Sequence, residues 1–202
     1  MIRHLAAALA AVALATPSGA SAAQSSPYLG ARIGYGFPYG TALSVGPDST
    51  SQRDLVKSSV PLQGDVGLRM GPIDLGGYFS YGFAKAGSAC TGSCSASHLR
   101  LGAQLALHAP IASEREVWGG VLFGWERLKL SPSSGGASTA SGWEAGLQGG
   151  YDLAGSTFGF GPFVMLTAGQ YDAFERNGVE VPSFTEKLHG MFQLGVRGFF
   201  RI

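Results

Sequence analysis

Along most of the chain, apolar residues alternate one for one with small or polar residues. A period of two puts every second side chain on the same face, so the pattern predicts β-strands. Eight segments carry it. The first, Tyr28 to Tyr39, sets Leu29, Ala31, Ile33, Tyr35, Phe37 and Tyr39 against Gly30, Arg32, Gly34 and Gly36. The others are Leu62 to Met70, Ile73 to Ala84, His98 to His108, Val117 to about Leu130, Gly142 to Leu153, Phe158 to about Tyr171 and Leu188 to Ile202. The fifth is less regular, because Trp118 and Leu122 share the face of Gly124 and Glu126, and the seventh is nearly continuously apolar, with its register open around Pro162. Most of these segments match the roughly 9–11 residues that a tilted strand needs to cross a bilayer.

The connections alternate in length. Gly71-Pro72, the stretch Pro110 to Glu116, and Ala154-Gly155-Ser156 are short; about Gly40 to Pro61, Lys85 to Ser97, Ser131 to Ser141 and Asp172 to Lys187 are long and polar. Short turns at one rim and long loops at the other are the pattern of an outer-membrane barrel, with the termini and short turns in the periplasm. No later segment approaches the length of a membrane helix, so any membrane insertion must be by a closed barrel, whose backbone groups are all paired in lipid.

Alternation alone does not say which face points outward, and a soluble lipocalin-like barrel with its apolar face inside is the alternative. A soluble barrel needs a charged exterior. Here Lys57, Lys85, Lys129 and Lys187 all fall in connections or at strand ends, and the polar face is Gly, Gln and a few ionised residues. Aromatic residues gather towards the strand ends: Tyr28, Tyr151, Phe158 and Phe200 at one rim, and Phe37, Tyr39, Tyr81, Phe83, Trp125 and Trp143 at the other. Two aromatic girdles suit the two lipid–water interfaces. The expected fold is an all-β, eight-stranded antiparallel up-and-down transmembrane barrel with its apolar face in lipid.

The N-terminus adds a targeting step. Arg3 and His4 precede the Leu/Ala/Val run Leu5 to Thr16, Pro17-Ser18-Gly19 breaks it, and Ala20-Ser21-Ala22 reads as a cleavage site. Residues 1–22 are expected to be a secretory signal peptide and 23–202 the barrel domain. Among 202 residues, 32 are Gly and only 13% are charged, which disfavours both a helical bundle and a disordered chain. Loss of Arg3 balances the remaining cations and carboxylates, leaving no electrostatic reason to bind nucleic acid.

From Tyr28 to Ile202 the chain resembles the small eight-stranded outer-membrane barrels of the OmpA-domain, OmpX and OmpW type. The resemblance is architectural and brings no catalytic motif. It implies an alternating last strand ending in an aromatic residue, read by the barrel-insertion machinery. Here Val196-Arg197-Gly198-Phe199-Phe200-Arg201-Ile202 keeps the alternation, but Ile replaces the aromatic.

An eight-stranded barrel is just wide enough to be filled by its own side chains. Large inward rings such as Tyr78, Trp118 and Phe199 are expected to cover glycine backbone, and inward charges need partners. Depth along the strands predicts two clusters: Arg100, Glu126 and Glu144 in the outer half, and Arg32, Asp65 and Arg197 in the inner half. Both are expected to plug the lumen and fix strand register; the alternative is that some of these charges sit at wet rims. Cys90 and Cys94, in the second long connection, are expected to pair in the oxidising periplasm and to stiffen a loop tip. A metal site built from them with His98 lacks a fourth ligand. Gly34-Tyr35-Gly36 is a lone G-x-G within a strand, best read as lumen glycines.

Neither a G-x-S-x-G elbow nor a phosphate-binding loop is present, and Ser97 and His98 alternate to opposite faces. The leading expectation is a non-enzymatic outer-membrane barrel that needs no cofactor. Outer-membrane lipid is its surround, and its long loops have a structural or surface-interaction role towards a ligand the sequence does not name. Alternatives are a narrow channel for ions or small, including apolar, solutes, and a membrane-embedded lipid-modifying hydrolase.

Overall fold

The computed structural model describes residues 25–45, 48–90, 93–181 and 185–202; the expected signal peptide, residues 1–22, lies outside them. Eight long strands make up the described chain: β1 (Ser25–Val45), β2 (Val56–Met70), β3 (Ile73–Ala86), β4 (Cys94–Ala112), β5 (Arg115–Pro132), β6 (Ser138–Ala154), β7 (Phe158–Arg176) and β8 (His189–Arg201). Each pairs antiparallel with the next. β1 also pairs with β8 along its length, from Tyr28 opposite Arg201 to Gly40 opposite His189, which closes the sheet into a barrel.

The apolar face points out. Leu101, Leu147 and Leu194 are exposed at 54%, 63% and 46%, while Arg100 and Glu144 are each 1% exposed and Arg197 is 9%. In water this distribution would be inside out; it is the one that a hydrocarbon solvent requires. β7 alternates strictly, with Phe160, Pro162, Val164 and Leu166 outward and Phe163, Met165 and Thr167 inward. Its apolar run is continuous because its lumen face is apolar too: Phe163 and Met165 pack with Tyr78, Ala106, Trp118 and Leu122.

Rings do lie over glycines. A Cβ at Gly102 would meet Tyr78 Cε1 at 2.8 Å, and one at Gly150 would meet Trp118 Nε1 at 2.8 Å. Tyr28 departs from the expected girdle. It shares the parity of Gly30 and Arg32, is buried in the lumen, and lies 2.8 Å from where a Cβ at Gly67 would be.

The short connections are as tight as expected: Gly71, at φ +61°, turns β2 into β3, and the β4–β5 pairing runs to Ala112 opposite Arg115. The expected long loops are shorter than the alternation suggested. β1 continues to Val45 and pairs with the short strand Asp48–Ser51, a four-residue helix α1 (Gln52–Leu55) follows, and β2 starts at Val56. β7 continues to Arg176, then folds back through Val179–Glu180, while Thr185–Glu186 pairs with β1. Outside hydrocarbon both faces of a strand can be polar, so the apolar period fades while backbone pairing goes on.

Candidate functional site

Among the described residues, the lumen is where the strands bring chemistry-bearing side chains together in quantity, and it is filled in tiers. Nearest the short turns, Glu116 accepts both Nη atoms of Arg69 at 3.0 and 2.8 Å and Arg201 Nη2 at 3.0 Å. His108 sits between carboxylates, with Nδ1 3.1 Å from Glu116 and Nε2 2.8 Å from Asp74. The ligand atoms of His108, Glu116 and Asp152 lie within 4.8 Å of one another, the spacing of a cation cage. Guanidinium groups already occupy those carboxylates, however, so the tier is charge-closed without an ion.

Deeper, Arg197 donates in a fork to Asp152 and lies 3.7 Å above the Trp118 ring centroid. This corrects one expected grouping: Arg197 shares the inner half with Arg32 and Asp65, but its carboxylate partner is Asp152. Strand stagger decides that pairing, and depth counted along single strands does not reveal it.

Arg32 and Asp65 meet directly, Nε to Oδ2 at 2.6 Å. The other two Arg32 nitrogens donate to Gln148 at 2.6 Å and Gln104 at 3.0 Å, and Asp65 Oδ1 accepts from Gln63 at 2.8 Å and Gln104 at 2.9 Å. The amides thus satisfy what the ion pair leaves over, which is what lets a buried pair persist. The recess between Tyr28, Arg32, Asp65 and Arg197 has a volume of about 10 Å³, barely one water.

In the outer half, Arg100 Nε donates to Glu144 at 2.7 and 2.9 Å, and Tyr78 donates its hydroxyl to the same carboxylate at 2.9 Å. Glu126 faces Arg100 in register across β4 and β5 but spends its carboxylate on two imidazoles, His98 Nε2 at 2.8 Å and His189 Nε2 at 2.7 Å. His98 is thereby committed to the lumen and away from Cys90 and Cys94. Those cysteines form a disulfide with Cα atoms 6.4 Å apart. Next to it, Ser133 donates backbone and hydroxyl hydrogens to Ser93 O, both at 2.9 Å.

An apolar cap closes the outer end: Ala42, Leu55, Val56, Leu128, Ala140 and Tyr171 form one buried cluster. Tyr171 stacks on His189 with centroids 3.9 Å apart and accepts from Gln52 Nε2 at 3.0 Å. α1, which carries Gln52 and Leu55, has a capping box: Ser51 Oγ accepts from the Asp54 amide, and Asp54 accepts from the Ser51 amide. Hydrogen bonds from Ser88, then from Ser51, hold the Asp54 carboxyl below the ordinary range.

His98, His108, His189, Asp74, Glu116 and Asp152 complete these tiers; of them only His98 was weighed from sequence, and then beside Cys90 and Cys94 or Ser97 rather than Glu126. Period-two parity already put Asp74, His98, His108, Asp152 and His189 on the polar face and left Glu116 in a turn; which of them meet is decided across the lumen, where sequence order has no reach.

No protein-family model matches the sequence, and no curated protein sequence matches it. Solved structures do. The neisserial surface protein A superposes with a TM-score of 0.58 at 13% identity, over 86% of this chain and 97% of that one. The outer-membrane protein AlkL gives 0.49 at 13% identity, over 93% and 96%. The attachment invasion locus protein Ail of Yersinia pestis gives 0.41 at 11% identity, over 86% and 98%. At these identities the likeness bears on fold alone, and the first of them carries it. The chain has the fold of a small eight-stranded outer-membrane β-barrel.

Proposed function

We propose that residues 1–22 are removed as a signal peptide and that residues 23–202 form a closed, non-enzymatic barrel of the outer membrane. In this reading the barrel acts through the surface that its long connections present outside. The observation that carries it is the filled lumen: charge pairs completed by amides in the inner half, then a carboxylate–imidazole bridge under an apolar cap. Together the tiers plug the bore and, because each pair ties different strands, hold the register. The ordered outer extension supports a surface role, with the Cys90–Cys94 disulfide stiffening one tip. The last strand, β8 (His189–Arg201), is the segment offered to the insertion machinery.

Single-channel recording in planar bilayers tests this reading against the channel alternative. The refolded mature chain is expected to give no conductance steps above the lipid baseline. Regular steps that scale with salt would establish an open pore and overturn it. A heat-modifiable gel band from the outer-membrane fraction is the expected sign of location and closure.

A further inference from the structure

The lumen charges are all drawn into partnerships, whereas one set of outward charges is not. On β3 the outward side chains run Phe79, Tyr81, Phe83 and then Lys85; on β5 they run Phe123, Trp125 and then Arg127 and Lys129. Lys57 is exposed at the outer start of β2, beside Ser58, which pairs with Lys85. In register, Lys85 faces Ser95, Lys129 faces Ser97, and Arg127 faces Leu99, so β4 joins the two sides of this arc with hydroxyls and no carboxylate. Among the described residues, none of these four cations forms an ion pair. The exposed carboxylates Asp172 and Glu175 stand on β7, with β6 between them and the arc: Thr139 faces both Lys129 and Glu175, and among the described residues no ion pair crosses it.

Below the arc the outward wall is hollow. Ala145 and Ala168 are small where Leu105, Phe123, Leu147 and Leu166 stand around them, and the groove between has a volume of about 680 Å³. Phe123, at its edge, is four residues from Arg127 on the same face of β5. The order along the wall is thus apolar groove, aromatic belt and cation arc, which matches an acyl chain, its interfacial region and an anionic head group. Arg127 and Lys129 are spaced by roughly 7 Å along the strand, and guanidinium and ammonium groups both suit phosphate oxygens.

We infer that this wall is a binding site for one phosphate-bearing, multiply acylated lipid of the leaflet on the long-connection side. The phosphate sits on the arc of Lys57, Lys85, Arg127 and Lys129, with an acyl chain in the groove beside Phe123. The inference rests on the membrane orientation proposed above, but not on the closure of the lumen.

The test is native mass spectrometry of the mature chain refolded in neutral detergent, with three probes: bis-phosphorylated lipid A, the same lipid dephosphorylated, and inorganic phosphate. The phosphorylated lipid is expected to be retained at roughly tenfold lower concentration than the dephosphorylated one, and inorganic phosphate not to be retained. Changing Lys57, Lys85, Arg127 and Lys129 to Gln together should erase that preference. Ala145→Phe with Ala168→Phe should weaken both lipids and leave the preference intact. Equal retention of the two lipids, or a preference that survives the four Gln changes, would overturn the site; retention of inorganic phosphate at the lipid's concentration would reassign it to a free anion. Should the fourfold variant give no heat-modifiable band, Arg127→Gln with Lys129→Gln carries the same reading at a smaller change. A conducting barrel that keeps the lipid preference would sink the closed-lumen proposal and leave this one standing.

Discussion

Near the short turns, carboxylates in the lumen are shared among partners: Glu116 touches Arg69, Arg201 and His108, and Asp65 touches Arg32, Gln63 and Gln104, with the Arg197–Asp152 fork the exception. Towards the long connections the polar contacts thin out. Arg100 spends Nε on Glu144 and Nη2 on the Met165 sulfur at 3.6 Å, while its buried Nη1 has no partner among the described residues. What replaces them is apolar, the cap of Leu55, Leu128 and Tyr171. The inner half is held as a cross-linked network that fails if any member is lost. The outer half is a single ion pair and a single bridge beneath a hydrophobic seal. Polar closure and apolar closure are two solutions to one problem, that a barrel wall without a filled bore leaves its lumen groups unpaired.

The largest effects should come from cutting single ions, and the difference between the halves from attempting to repair the cut. Asp65→Ala strands the Arg32 guanidinium and is expected to cost about 3–5 kcal/mol of unfolding free energy in urea titrations of the vesicle-embedded barrel. Glu144→Ala should cost a similar amount by stranding Arg100. The double variants separate the halves. Arg100→Leu with Glu144→Leu extends the outer apolar region and strands only the Tyr78 hydroxyl, so with Tyr78→Phe added it should return to within about 1 kcal/mol of the parent, as apolar replacements of buried pairs often do. Arg32→Leu with Asp65→Leu should not, because Gln63, Gln104 and Gln148 lose partners at about 1–3 kcal/mol each. Equal recovery in both halves would erase the distinction between network and seal.

A smaller, local effect is expected from the seal. Leu55 is buried in the cap, and Leu55→Ala should remove about 2 kcal/mol at most, the low end for such truncations, because α1 is short and can settle into the space. Hydrogen exchange is the informative measurement. Faster exchange should be confined to the outer ends of β1, β2 and β7, with the amides of Arg32 and Asp65 unchanged. Acceleration reaching those inner amides would mean that cap and network unfold as one unit.

Much of this architecture was legible because the solvent inverts. Leu101 beside Arg100, and Leu147 beside Gln148, state which face is wet as soon as lysines are found only at strand ends. Ring-over-glycine packing was legible too, since Tyr78 and Trp118 fall on glycine-rich faces. Pairing across the bore was not. Arg197 was grouped with Asp65 by depth, yet strands eight and six bring Asp152 to it, and nothing in linear order encodes the stagger that does so. The outer extensions were illegible for another reason: Thr41, Ser138 and Thr139 are paired by backbone where the outward face has turned polar, and the small inward Ala42 and Ala140 that join the cap carry little apolar signal of their own. Tyr28 was misplaced because proximity to a rim was weighed above parity, and parity governs which side of the wall a residue takes.

The smallest expected effect sharpens the picture of the seal from outside the membrane. Asp54 anchors α1 by accepting from Ser88 Oγ at 2.8 Å and the Ser51 amide at 3.1 Å, and those bonds favour the ionised form, so its pKa is lowered on folding. The sign follows: a depressed carboxyl contributes stability that is present above its unfolded value and lost as pH falls through the folded one. Protection of the α1 amides should therefore be flat from neutral pH down to the ordinary carboxylate range and decline only below it. Asp54→Asn should lower protection at neutral pH and abolish that acid-side decline. Since Asp54 is only half-buried and its partners are Ser51 and Ser88, the change should be confined to α1 and the neighbouring Ser88 segment. An unaltered acid decline in Asp54→Asn would show that other groups titrate the cap.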